Sequence, residues 1–353
     1  MTGGTRTTTS STHKLWDVAF RAFLPSRDPL CELSEPFDVL VKIVELLPTL
    51  CIEKRVRECL KTFEKDLEKL NVKELKDLDS KCRVHSLYSY IVVAFIRDCA
   101  DVENTTLVPS YLSRGYVEIS EMLGRKPSLD YADCVLYNWE RIDRDGPLLP
   151  RNIRLLNRFT GMIDEEWFFK THVVIESEAT PVLSSIQSGL SAIESRDMKK
   201  ITECLESLER SMWVVARICL PLMFKRDGLV VEGKRVSSGA PLCDYFMFFN
   251  RLRRYIGPLK NVIYEGYFEN KAQNYPGPSG AMSSLLPALD AFMGIRLSNA
   301  KLSKMLRSFE SHMPEPHRAF LHRIRDFEHS NIRASITSLC SSGTTEAAAL
   351  VRL

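Results

Sequence analysis

Apolar positions recur at spacings of three and four over most of the chain. In EKRVRECLKTFEKDLEKL the residues Val56, Leu60, Phe63, Leu67 and Leu70 fall on one helical face. The run MKKITECLESLERSMWVVARICLPLMF repeats the device with Ile201, Leu205, Leu208, Met212, Val215 and Cys219. Its last two turns are apolar nearly all round, which predicts deep burial. Further helices are predicted over residues 37–47, 83–96, 116–123 and 168–178, and the segment around residues 131–138 reads as a helix as well. The helix over 168–178 should stop near Pro181, with Thr180 capping a following helix that runs to Ser195. One stretch breaks the pattern. In RDGLVVEGKRV, residues 226–236, short β-branched runs flank Glu232-Gly233 and predict a small hairpin. The fold class expected is all-α with that hairpin as an insert.

With 353 residues the chain can form about two domains. The loop ERIDRDGPLLPRN, residues 140–152, is rich in charge, Gly and Pro and is the best candidate boundary. It predicts a leader at 1–15, a small helical domain at 16–148 and a larger one at 149–353. The 48 basic and 45 acidic residues are interspersed, with no basic stripe between aromatics, so no nucleic-acid or membrane-surface partner is expected. The 10 cysteines include no CxxC pair and sit mostly in apolar runs, as reduced core residues of a cytoplasmic protein would. The leader lacks an apolar segment, and being Ser/Thr-rich and free of acid before Asp17 it keeps a mitochondrial alternative open.

Enzyme signatures are sparse: there is no GxSxG, HExxH or GxGxxG. Four stretches stand out. Pro276-Gly277-Pro278-Ser279-Gly280-Ala281 interrupts an aromatic, acidic run just before an apolar helix begins. It is either a plain turn or a place where something approaches the main chain closely. In DYFMFFNRLRRYIG, Phe249, Arg253 and Ile256 share a helical face, with Phe248 and Leu252 beside them. Arg253 there is either a snorkelling arginine on a core helix or a clamp for a carboxylate. In LDYADCVLYNWERID, the residues Tyr131, Cys134, Val135 and Asn138 share one face. In DEEWFFKTHVVIESE, Phe168 and His172 stand four apart, and His172 reads either as a core histidine or as a ligand or base.

These stretches, together with IYEGYFEN and MPEPHRAFL, resemble the indoleamine 2,3-dioxygenases, haem enzymes that open the indole ring of tryptophan. The similarity starts near Phe23 and keeps the same order along nearly the whole chain. It implies a two-domain helical fold that holds haem b. Tyr131, Cys134, Val135 and Phe168 would line the pocket over the haem, Phe248 and Ile256 would pack on the indole, and Arg253 would grip the substrate carboxylate. Residues 277–281 would lie along the haem edge and the substrate amino group, with Gly277, Pro278, Ser279 and Asp290 on the cofactor side and Ser279 and Gly280 on the substrate side. His172 stands where vertebrate members have serine. A distal histidine there is similar to that of the related tryptophan 2,3-dioxygenases, where it meets the indole N–H.

The implied activity is insertion of O2 across the indole C2–C3 bond of L-tryptophan or a related indoleamine, giving N-formylkynurenine, by a monomer. Rival expectations are a haem O2-binding, myoglobin-like protein of the same family and a haem-free, inactive paralogue. The iron's axial ligand stays unassigned. The chain ends in TTEAAALVRL, about four helical turns short of the family's proximal-histidine motif. Of the later histidines, His317 in MPEPHRAFL reads as a surface or capping residue, and His322 and His329 as solvated.

Overall fold

The computed structural model describes residues 21–98, 105–223, 230–231, 234–235, 245–326 and 332–341. Its first core is organised around α3 (Leu78–Arg97), the helix predicted over 83–96 and extended at its start by Asp77, whose carboxylate accepts the Ser80 N–H at 2.8 Å. From Cys82 to Arg97 every residue of α3 is buried, its polar members Arg83, His85, Ser86, Ser89 and Arg97 being hydrogen-bonded to neighbouring elements. Against it pack α1 (Asp38–Glu53), α2 (Val56–Thr62) and α4 (Ser110–Met122). The predicted face Val56, Leu60, Leu67 and Leu70 is buried, with Phe63 partly so. The helix itself breaks at Phe63, whose backbone leaves the helical region, and resumes as the single turn Glu64–Leu67.

The main departure from all-helical structure is a small mixed sheet. Strand β1 (Thr106–Val108) runs parallel to β6 (Leu259–Tyr264), and β6 pairs antiparallel with β7 (Gln273–Tyr275). Val262 and Tyr264 face the first core, so the alternation in LKNVIY was a usable strand signal. Strands β2 (Trp139–Arg141) and β3 (Ile153–Leu155) form a hairpin closed by the charged 140–152 loop. The predicted insert is also a hairpin, β4 (Val230–Val231) against β5 (Lys234–Arg235).

A second core joins α6 (Thr180–Glu194), α7 (Met198–Val214), α9 (Leu285–Met293), α11 (Glu315–Asp326) and α12 (Ile332–Ser341). Between the cores lies α5 (Ile163–Glu178), while α10 (Ala300–Phe309) follows α9. Thr180 does not cap α6: its hydroxyl donates backwards to the Ser177 carbonyl at 2.7 Å. After α7 the chain continues through a π turn, Val215–Cys219, and there the expected deep burial fails. Val215 and Cys219 are buried, but Trp213 before the turn and Leu220 after it are exposed.

Candidate functional site

The segment 131–136, predicted as an α-helix, is a π turn. Asp130 caps it, its carboxylate accepting the Ala132 N–H at 2.9 Å and the Asp133 N–H at 3.2 Å, and the Tyr137 N–H reaches back five residues to the Ala132 carbonyl. Such wide turns often occur at functional sites. Tyr131, Cys134, Val135 and Asn138 are all buried, so the predicted face survives the change of helix type. Asn138 is locked in the core by Tyr90, the Cys134 carbonyl and Asn157.

The π turn presents Tyr131 to α5. The rings of Tyr131 and His172 meet edge to face at 6.0 Å, and the Phe168 ring lies 4.5 Å from His172. His172 donates Nδ1–H to the Phe168 carbonyl at 2.9 Å, since a carbonyl can only accept. That fixes the tautomer and leaves Nε2 with a lone pair. Burial lowers the His172 pKa, so the ring is neutral near pH 7. One turn on, Glu176 is buried and accepts hydrogen bonds at one oxygen from the Tyr131 hydroxyl at 2.8 Å and the Ser283 hydroxyl at 2.6 Å. Burial raises its pKa. Neither Glu176 nor Ser283 was picked out from sequence. The available signal was an acid four residues after His172 inside an apolar run.

The glycine loop approaches the same face of α5. A Cβ on Gly280 would lie 3.6 Å from His172 Nε2, with no other non-neighbouring atom within 4 Å among the described residues. Ser279 caps the short turn Gly280–Met282 by accepting the Ala281 N–H at 3.2 Å. Gly277 is small for a reason that the fold itself supplies. A Cβ there would stand 2.0 Å from the Ile256 carbonyl oxygen, so its smallness serves backbone packing against the end of α8 (Tyr245–Ile256). Pro278 and Asp290 are half-buried, and burial raises the Asp290 pKa.

Helix α8 turns Leu252 and Tyr255 inward and Arg253 outward, with Ile256 half-buried. Among the described residues Arg253 makes no ion pair, and the Phe248 side chain lies outside them. The end of α8 is well held. Arg97 donates to the carbonyls of Gly257 at 3.0 Å and Pro258 at 2.6 Å, and Tyr255 stacks on Phe159 at 4.7 Å. The fold thus joins Tyr131, Phe168, His172, Ser279 and Gly280 around α5, and leaves Arg253 on the surface of the neighbouring helix. His317 is a correction: it is buried, bonded through Nδ1 to the Ser284 hydroxyl at 3.1 Å and packed 4.8 Å from the Phe23 ring. The apolar side of α11 carries it inward with Phe320 and Leu321, which the charged neighbours concealed. His322 is exposed, and His329 lies outside the described residues.

A family model, indoleamine 2,3-dioxygenase, matches residues 13–350, and so includes the π turn, α5, α8 and the glycine loop. The chain belongs to the indoleamine 2,3-dioxygenase family. Its relatives include indoleamine 2,3-dioxygenase 1 of Mus musculus, 30% identical over 91% of this chain and 74% of the relative. The indoleamine 2,3-dioxygenase of Saccharomyces cerevisiae is 27% identical over 91% of the chain and 71% of the relative. A 6-hydroxytryptophan 2,3-dioxygenase of Fusarium equiseti is 25% identical over 86% and 71%. Indoleamine 2,3-dioxygenases are haem-using oxidoreductases, and the helical architecture with minor sheet agrees with that membership. Among the described residues no helix is long and apolar enough to cross a membrane.

Proposed function

We propose that the chain is a haem-dependent dioxygenase that inserts both atoms of O2 across the indole C2–C3 bond of L-tryptophan, giving N-formylkynurenine. The observation that carries this reading is the open space at Gly280, bordered by the unprotonated Nε2 of His172, with Phe168 and Tyr131 packed on the same imidazole. A small-residue loop beside aromatic walls suits a flat, apolar group. Gly277, Pro278, Ser279 and Asp290 are the residues proposed to run along the haem edge, in a larger domain of residues 149–353 that follows a small one of 16–148. When bound, haem supplies the iron that takes up and activates O2.

The chain's own residues then bind and orient. His172 Nε2 accepts the indole N–H, which a neutral imidazole with its other nitrogen tied to Phe168 can do. Phe248 and Ile256 pack on the indole, Cys134 and Val135 back the pocket wall, and Ser279 meets the amino group. Arg253 grips the carboxylate, and its lack of a protein ion pair among the described residues leaves the guanidinium available for one. Catalysis rests on positioning.

The test is product formation by the haem-reconstituted chain with L-tryptophan and with tryptamine, before and after Arg253→Ala. The variant should weaken L-tryptophan by about 1.5–3 kcal/mol, the worth of a charged hydrogen bond, and leave tryptamine nearly unchanged. Equal losses for both would remove Arg253 from the site, and no N-formylkynurenine from the unmodified chain would contradict the activity.

A further inference from the structure

Glu176 has no part in the chemistry above, yet it sits at the junction of the elements that build the site. Its carboxyl is 1% exposed. Oε1 takes two hydrogen bonds, from Tyr131 on the π turn and from Ser283 just past the glycine loop. Oε2 is buried with no hydrogen-bond partner among the described residues. His172, one helical turn earlier, meets the Tyr131 ring edge to face and borders the space over Gly280, where an added Cβ would lie 3.6 Å from Nε2. Tyr131 is therefore held from two successive turns of α5, and the loop through Ser283.

We propose that Glu176 is a positioning residue, kept as the neutral acid, that pins Tyr131 and the 279–283 loop against His172. The geometry explains the protonation state. What faces the carboxyl is the Tyr131 hydroxyl from the π turn, the Ser283 hydroxyl from the loop and, a turn away on its own helix, the neutral His172; among the described residues no cation pairs with it. A buried carboxylate without a cation is costly, so the group keeps its proton. With Oε1 accepting from two hydroxyls, the proton resides on Oε2. The acid then behaves as a rigid clasp whose length and direction are fixed by α5. This role rests on the functional reading for its consequence, substrate positioning, but not for the clasp itself.

The experiment compares the full chain with Glu176→Gln and Glu176→Ala. Glutamine is shaped like the neutral acid, and its Oε1 can accept the same two hydroxyls. Infrared spectra in H2O and D2O at neutral pH should show a carboxylic C=O band that is missing from Glu176→Gln. The difference is needed because Glu165, buried on the same helix with its pKa raised by burial, can contribute a band of its own. Backbone hydrogen exchange over residues 131–137 and 279–284 should quicken roughly tenfold in the alanine variant, the consequence of losing a buried hydrogen-bonded link, and stay within about twofold in the glutamine variant. In the haem-loaded protein the KM for L-tryptophan should follow the same order, raised by alanine and preserved by glutamine. A missing infrared band, or a glutamine variant as loose as the alanine one, overturns the proposal. If the alanine variant does not fold, the infrared and exchange comparison of glutamine with the unmodified chain still decides. If no variant turns over tryptophan, the dioxygenase reading fails while the band and the exchange pattern still judge the clasp.

Discussion

Asp133 and Glu176 are both buried carboxyls near the π turn, and they end in opposite states. Burial pushes each pKa up. At Asp133, Arg125 and His85 outweigh burial and hold the group below the usual carboxylate range. Its oxygens are fully engaged: His85 Nδ1 at 2.9 Å, the Ser89 hydroxyl at 2.9 Å and Arg125 Nη2 at 2.9 Å. Glu176 has only hydroxyls around it, so burial wins and its pKa rises. One side of the turn is thus closed by ion pairs that fix it in the first core, where His85 Nε2 and Arg125 Nη1 still lack partners among the described residues. The other side, through Tyr131, meets a site with uncommitted polar atoms, Glu176 Oε2 and His172 Nε2. That second side is open in the sense that no ion pair among the described residues ties up its polar atoms, which leaves them for a ligand.

Breaking the closed side should cost most. Asp133→Ala leaves Arg125 as a buried charge that keeps only Asp130, and is expected to destabilise the chain by about 3–5 kcal/mol in urea denaturation. A loss under about 1 kcal/mol would mean that the two sides do not differ in the way described.

The histidines near the open side sharpen the contrast through pH. Burial, with Arg125 and Arg318 assisting, pushes the His317 pKa down from 6.5 to about 3. In the unfolded chain the ring takes a proton near its ordinary value. Stability should therefore be constant for this group above about pH 6.5, and fall as the pH drops from there towards about 3. His317→Gln is expected to remove up to about 1.4 kcal/mol per pH unit of that slope. An unchanged slope in an acid titration of the unfolding midpoint would show that His317 is protonated in the fold.

How much of this was readable in the sequence depended on what each feature needs. Helical faces such as Val56–Leu60–Leu67–Leu70 depend only on local periodicity, and they were legible. So was the hairpin at Val230–Val231 and Lys234–Arg235, whose β-branched runs flank a short turn. The π turn was not, because its register depends on Asp130 being held by Arg125, a contact made in three dimensions. The parallel pairing of Thr106–Val108 with Leu259–Tyr264 joins segments far apart in the chain, beyond any periodic signal. In the site, Tyr131, Phe168, His172 and Gly280 were named from sequence and are near neighbours in the fold. Glu176 and Ser283 were missed because a buried, uncharged acid looks like any helix acid until its surroundings are known. Gly277 was named as a constrained position, and the Ile256 carbonyl that constrains it in the fold was not legible because it comes from a different segment.

The most direct test of the claim that the open side of the π turn is the ligand site is a steric plug at Gly280. Among the described residues a Cβ added at Gly280 would meet only His172 Nε2 within 4 Å, whereas one added at Gly277 would meet backbone at 2.0 Å. Gly277→Ala should therefore lower stability by about 1–3 kcal/mol, while Gly280→Leu should leave the unfolding midpoint nearly unchanged. Haem and then L-tryptophan are titrated into Gly280→Leu and the unmodified chain, following the Soret band. The account predicts that the leucine variant stays folded and loses the tryptophan-induced Soret shift; a variant that is equally stable and binds both ligands as the unmodified chain does would contradict it.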